Sequence, residues 1–193
     1  IFAGGVLDTG SGIVIGTRSY GKGVAQVLYD ESNCPYLHGD AVKVTAYRFY
    51  CAGGNTTDRI GVIPTLFLPQ AQAAAAARLL SGEKTKDGGA YLHLVLNGCD
   101  FYIDIPAAKE SSSTALEAIL TALTPSAVLY WGENGGETAL TPAQAREKCG
   151  FAAASALDFT DVAGSEYAGE INALAASRIV LGNQGKFRPD DTM

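Results

Sequence analysis

The stretch Gly16-Thr17-Arg18-Ser19-Tyr20-Gly21-Lys22-Gly23-Val24-Ala25-Gln26 constrains this chain more than any other. It follows the apolar run Ile13-Val14-Ile15 and leads into a second run of strand formers from Val24 to Tyr29. Glycine reaches positive φ at no steric cost and lets backbone or ligand approach closely. A lysine set between two glycines, in a connection between two strands, is therefore expected to be held by its loop rather than left loose on a surface. Gln26, four residues on, offers an amide that can orient the lysine amine.

Three stretches follow from the pattern along the chain. In the first, residues 1–82, polar and apolar residues alternate over 24–31 and 40–50, which predicts a hairpin across a long polar turn. Residues 69–80 are rich in alanine and predict a helix, ended by Ser81-Gly82. A charged, glycine-ended segment, Glu83 to Gly89, opens the second stretch, residues 83–150. There the strands predicted at 91–96 and 99–105 flank Asn97-Gly98, the strongest short hairpin signal. Ser113 or Thr114 is placed to cap a helix through Leu123, with apolar residues at 116, 119, 120 and 123 on one face. A short strand is expected at 127–131 and a turn at 132–136. Thr141-Pro142 then opens a helix that ends near Gly150. The third stretch, residues 157–193, contains one helix whose apolar face is made by Ile171, Leu174 and Ala175. The expected fold class is α+β.

Composition bounds the function classes. The 193 residues are 47% apolar, enough for a core, and 14 basic against 20 acidic side chains leave a net charge of −6. That balance, with its Lys and Arg scattered, argues against a nucleic-acid partner. No apolar run approaches the roughly 18 residues of a membrane span. The four cysteines, Cys34, Cys51, Cys99 and Cys149, form no Cys-x-x-Cys, and His38 and His93 stand near no second ligand type. No zinc site or other cofactor is expected. Cys34 falls in the turn of the first hairpin and Cys51 at the far end of its second strand, roughly 30 Å apart along a strand and beyond disulfide reach. A Cys99–Cys149 bridge is open, with buried free thiols as the alternative. His93, Tyr130 and Trp131 read as packed core or surface rather than a ligand box.

The lysine stretch resembles the lysine segment of C-terminal processing peptidases, the tail-specific proteases that use a Ser-Lys pair. The likeness continues through Asp40-Ala41-Val42-Lys43-Val44-Thr45-Ala46-Tyr47-Arg48-Phe49-Tyr50, then Gly53-Gly54-Asn55, then Gly61-Val62-Ile63-Pro64. The resemblance implies that residues 1–82 are the C-terminal part of a peptidase α/β core, built as strand, Lys loop and β-hairpin. It implies that Ile1 to Asp8 end a helix, that Lys22 is the general base and that Gln26 orients it. It places the nucleophilic serine just upstream of Ile1, with an oxyanion hole of backbone N–H groups at least partly upstream as well, and it expects residues 1–193 alone to be inactive. The chemistry agrees with such a role: a serine hydroxyl is a weak nucleophile until an adjacent base takes its proton, and Ser-Lys is an established variant of the triad.

Two other readings use the same residues. Gly16-x-x-x-x-Gly21-Lys22 matches most of a phosphate-binding loop, but Gly23 stands where the metal-binding hydroxyl belongs, and strand formers follow where a helix is required. A glycine-rich strand connection with a solvated lysine is the plainer alternative.

The third stretch resembles an S-layer homology repeat. Phe159-Thr160-Asp161-Val162 leads into Tyr167-Ala168-Gly169-Glu170-Ile171-Asn172-Ala173-Leu174-Ala175-Ala176, and Gly185-Lys186-Phe187-Arg188-Pro189-Asp190 follows. The resemblance implies a helical segment, an extracellular place at a bacterial cell surface or wall, and secondary cell-wall polysaccharide as partner. Together the two resemblances imply a secreted, wall-associated serine endopeptidase acting on a peptide or protein. The alternative is a non-catalytic surface protein that binds wall polysaccharide. The middle stretch, 83–150, reads as a small α/β accessory domain. It resembles accessory domains of bacterial surface proteins related to the N-terminal domain of copper amine oxidase, a likeness that assigns it no function.

Overall fold

The structure is a computed structural model that describes residues 1–84, 89–124, 127–152, 159–176, 180, 182, 186 and 187. It is a mixed α+β arrangement. In chain order the elements are α1 (Phe2–Asp8), β1 (Ile15–Gly16), β2 (Val24–Tyr29), β3 (Val42–Arg48), β4 (Leu66–Phe67), α2 (Gln70–Leu79), β5 (Tyr91–Leu96) and β6 (Cys99–Asp104). They continue with α3 (Ile105–Ala122), β7 (Val128–Glu133), β8 (Gly136–Leu140), α4 (Pro142–Lys148) and α5 (Ala168–Ala176).

The main sheet is antiparallel in the order β6-β5-β7-β8. Side chains alternate across it as the pleat requires. Leu92, Leu94 and Leu96 of β5, Ile103 of β6, and Leu129 and Trp131 of β7 face one way and are buried against Leu116, Ile119 and Leu120 of α3 and Ala76 of α2. Burying each large aliphatic side chain contributes about 1.5–3 kcal/mol, so this layer is the main source of stability. The parallel pair β1–β4 joins it: Ile15 lies opposite Leu66, Leu66 and Leu68 are buried in the same cluster, and Ile13 and Ile15 pack against it. One apolar cluster therefore runs continuously across residues 82–83. The segment 85–88 between the two stretches lies outside the described residues.

The other face of the sheet is aromatic and polar. Tyr102, His93 and Tyr130 stand side by side across β6, β5 and β7. His93 stacks on Tyr102 at 4.7 Å and on Tyr130 at 5.3 Å between centroids. His93 and Tyr130 thus share this face, whereas Trp131 belongs to the buried one.

Several expectations are corrected. The turn expected at 132–136 is a second tight hairpin: Asn134 (φ 51°) and Gly135 (φ 80°) take the left-handed angles of a two-residue turn, and β8 follows. The helix expected from Ser113 or Thr114 is the second half of α3; a further helix precedes it from Ile105, where Asp104 accepts from the Ala107 N–H at 2.9 Å. The two meet at a kink at Ser112, whose backbone is non-helical (φ −162°, ψ 74°). Beside the bend the Ser111 hydroxyl donates to the Ala107 carbonyl at 2.7 Å, a side-chain bond that competes with the helical ladder. The first hairpin forms, but every residue of β3 is exposed, so its alternation marks no buried face. The four cysteines are free, and only Cys149 is buried, its thiol pushed up by desolvation. Cys99 instead donates to the Gly10 carbonyl at 3.3 Å.

Helix α4 starts as expected, with Thr141 and Gln144 forming a reciprocal capping box. It delivers Arg146, 5% exposed, under α3. The guanidinium donates to the Ala152 carbonyl at 2.9 Å, to the Glu117 carboxylate at 3.0 Å and to the Glu117 carbonyl at 3.3 Å, and also bonds Thr121 Oγ1.

The C-terminal residues close on a small cluster of their own. Phe159, Val162, Ile171 and Ala175 are buried together, with Val180 and Phe187 against them. The Phe187 N–H donates to Asp161 Oδ1 at 2.9 Å, which ties the exit of the segment to its start. Leu174, expected on the buried face, is 38% exposed; the face is Ile171 and Ala175, one helical turn apart. Ile179, Gly185 and Arg188-Pro189-Asp190 lie outside the described residues.

Arg146→Ala is expected to destabilise the protein by about 2–3 kcal/mol, because it strips charged donors from part-buried acceptors. Arg146→Lys should recover little, since a point charge cannot replace the planar fork. Urea unfolding followed by the fluorescence of Trp131, the single tryptophan, checks this directly in the layer concerned. An unchanged midpoint in both variants would overturn it.

Candidate active site

The Lys22 loop is stitched to the segment 57–62. Arg59 N–H donates to the Gly21 carbonyl at 2.7 Å, and Ser19 N–H to the Val62 carbonyl at 3.0 Å. In return Val62 N–H donates to Ser19 Oγ at 2.8 Å. Gly23 N–H donates to Asp58 Oδ1 at 3.1 Å, and the Gly23 carbonyl accepts from Phe49 N–H at 2.7 Å. The loop can lie this close only because its glycines carry no side chain. Gly21 has φ 87°, and a Cβ on Gly23 would stand 2.5 Å from the Asp58 backbone nitrogen. The opposing Gly61, at φ 77°, is subject to the same limit: a Cβ there would sit 2.1 Å from the Ser19 carbonyl oxygen.

From this frame the Lys22 amine donates to Gln26 Oε1 at 3.4 Å. Gln26 Nε2 in turn donates to Thr45 Oγ1 at 3.3 Å. A bulge between Ala25 and Gln26 sets Gln26 opposite Thr45 in the β2–β3 ladder. The structure thus brings Lys22 and Gln26 together, with both side chains exposed. Asp58 also pairs with Arg48 at 3.7 Å, a half-exposed contact worth about 1 kcal/mol at most.

Thr45 and Asp58 were not singled out by sequence reasoning. Thr45 could have been found from its register, since it falls on the strand that faces Gln26. Asp58 gives no local signal; it matters only because the chain returns past Gly23. Neither serine near the lysine in sequence is engaged with it: Ser19 Oγ serves Val62, and Ser11 Oγ pairs with Thr9 Oγ1 at 2.9 Å. Among the described residues no cluster of three or more His, Cys, Asp or Glu could hold a metal ion, and no helix is long and apolar enough to cross a membrane.

Residues 1–67 match the model of peptidase family S41, and residues 158–193 match that of the S-layer homology domain. No solved structure matches the chain. The chain therefore joins a peptidase-family segment, which contains the whole Lys22–Gln26–Thr45–Asp58 constellation, to an S-layer homology segment, a combination that supports a cell-surface peptidase.

Gly23→Ala is expected to push the loop off Asp58, since backbone rather than a flexible side chain occupies the space. Hydrogen exchange at the amides of Gly23, Phe49 and Arg59 should accelerate together. Wild-type protection at all three would refute the packing account.

Proposed function

We propose that this protein is part of a secreted serine endopeptidase of the C-terminal processing type that works with a Ser-Lys dyad at the bacterial cell wall. Lys22 is the general base and Gln26 the group that orients it. The observation that carries the reading is the Lys22 Nζ to Gln26 Oε1 contact, held by the Gly21–Gly23 loop inside the segment that matches the peptidase family. In the proposed step a serine hydroxyl, placed upstream of Ile1, attacks the scissile carbonyl while the neutral amine of Lys22 takes its proton. Backbone N–H groups, at least partly upstream as well, receive the oxyanion charge. The S-layer homology segment serves as part of a wall anchor directed at secondary cell-wall polysaccharide.

One observation favours a second reading, a non-catalytic surface protein that keeps the peptidase fold. Lys22 is exposed, and a lysine acts as a base only where its surroundings disfavour its charge. A serine three or four positions before Ile1 in the encoded sequence favours the enzyme.

With the native upstream residues present, cleavage of an unstructured peptide is expected to disappear in Lys22→Ala, which removes the general base, and to fall less steeply in Gln26→Ala, which removes the group that orients it. Near-wild-type turnover of Lys22→Ala would sink the dyad. Residues 1–193 alone should leave the peptide intact and take no label from a serine-reactive phosphonate; labelling of Ser11 or Ser19 would transfer the nucleophile's role to that residue. For the anchor, retention on purified bacterial cell walls is expected from the protein with its full set of repeats and not from residues 1–193. Failure of the former to bind would remove the anchoring role.

A further inference from the structure

The polar face of the four-stranded sheet carries a titratable cluster that the peptidase reading does not use. His93, on β5, has a side chain only 14% exposed. Its Nε2 lies 2.8 Å from Asp100 Oδ1 on β6, and its Nδ1 lies 3.2 Å from Glu137 Oε2 on β8. Glu137 reaches His93 diagonally from two strands away, and in its own row Gly132 of β7 stands between it and Tyr91. The Tyr91 ring lies over that glycine, where a Cβ would fall 1.9 Å from the ring, and its hydroxyl donates to Glu137 Oε1 at 2.8 Å. Lys84 pairs with the same oxygen at 3.8 Å and sits 4.7 Å over the Tyr91 ring. Tyr102 and Tyr130 close the two faces of the imidazole. The groups around His93 are thus Asp100 and Tyr102 on β6, Tyr130 on β7, Glu137 on β8, Tyr91 on its own strand, and Lys84 beyond Glu137.

A neutral imidazole has one N–H and one lone pair. With a carboxylate oxygen at each ring nitrogen, only the imidazolium satisfies both contacts; in the neutral ring a lone pair faces an anion. We infer that His93 is a pH-sensitive clamp: as an imidazolium it ties β6 to β8 across the sheet, and loss of its proton releases one of the two carboxylates. Asp100 is the one to leave. Its side chain is 61% exposed and can turn into water, whereas Glu137 is held by Tyr91 and Lys84. Partial burial of the ring opposes its charge, but the bonds to Asp100 and Glu137 outweigh that and hold its pKa above the ordinary 6.5. Glu137 is held below the ordinary 4.5, first by the Tyr91 hydroxyl and then by His93 and Lys84, against its own desolvation.

The signs fix a window. A raised histidine contributes stability that is fully present below its unfolded value near 6.5 and lost as pH rises through its folded value. A depressed carboxylate contributes stability present above about 4.5 and lost as pH falls through its folded value. The sheet is therefore most stable in mildly acidic surroundings and loosens through neutral to mildly alkaline pH. This clamp is independent of any chemistry at Lys22.

The test uses residues 1–193. An NMR titration of the His93 ring should give a midpoint above 6.5, and Asp100→Asn and Glu137→Gln should each lower it. The urea midpoint read from Trp131 should fall by about half a molar between pH 6 and pH 8, a range chosen to stay below the titration of the buried Cys149 thiol. His93→Gln should flatten that fall. A His93 midpoint at or below 6.5, one unmoved in both carboxylate variants, or an equally steep fall in His93→Gln overturns the clamp. Should His93→Gln fail to fold, the wild-type and carboxylate-variant titrations decide the matter alone.

Discussion

The apolar layer between the four-stranded sheet and helices α2 and α3 is what the remainder of the molecule hangs from. Leu92, Leu94, Ile103, Leu116, Ile119, Leu120 and Leu129 are all essentially inaccessible to water, and so is Leu66, which comes from the peptidase-family segment. Leu66 stands opposite Ile15 in the short parallel pair. Through that pairing the layer sets the position of Gly16, and with it the start of the Lys22 loop. The candidate site is thus anchored at its root by a core that lies mostly in the neighbouring stretch of chain. Residues 1–82 and 83–150 differ in pattern, but they share one packing unit.

Beyond its root, the site depends on backbone rather than side-chain burial. The β2–β3 hairpin is open to water on both faces along β3, with Val42, Val44 and Tyr47 exposed. A two-stranded ribbon is marginal in water by itself. Here it is braced by the Phe49 N–H to Gly23 carbonyl bond and by Asp58, which holds the Gly23 N–H from the returning segment. Removing side chains at Gly21, Gly23 and Gly61 lets three pieces of backbone share a space that Cβ atoms would fill. The geometry at Lys22 is therefore a product of what those positions lack, and no cluster of conspicuous functional residues advertises it.

That contrast explains what was legible in the sequence. The strand-loop-strand course around Lys22, the Asn97-Gly98 hairpin and the Thr141-Pro142 helix start could be read because each depends on residues within a few positions of one another. The contact of Lys22 with Gln26 was also local, four residues apart. Thr45 and Asp58 were not, because their roles arise from register and from a chain return that only the tertiary fold provides. The Asn134-Gly135 hairpin was missed for a different reason. Glycines on both sides of it, Gly132 and Gly136, read as a continuous turn, whereas Gly132 lies in a strand and is glycine so that the Tyr91 ring can cross it. The Ser111-Ser112-Ser113 run reads as a helix boundary and is one, since Ser112 is non-helical; what was missed is the helix before it, which Asp104 caps directly after β6. Leu174 shows the limit of periodicity: Ile171 and Ala175 suffice to meet Phe159 and Val162, and the third apolar position stays 38% exposed.

The two ends of the chain solve the problem of a small apolar surface in opposite ways. The S-layer homology segment gathers Phe159, Val162, Ile171 and Ala175 into a cluster, and the Phe159 and Phe187 rings meet at 5.6 Å. Its own exit strand of contacts, Phe187 N–H to Asp161, closes it. The peptidase-family segment has no such closure. Tyr20, Ile60 and Ile63 border the Lys22 loop and are all more than half exposed. Apolar side chains around an amine matter chemically as well as energetically, since they are what could exclude water from it. A peptide or another part of the protein lying across those side chains would shield the loop from solvent. Displacing water from an amine disfavours its ammonium form. On this view the exposure of Lys22 and its proposed role are compatible: the glycine frame supplies position, and whatever covers the apolar rim supplies the desolvation.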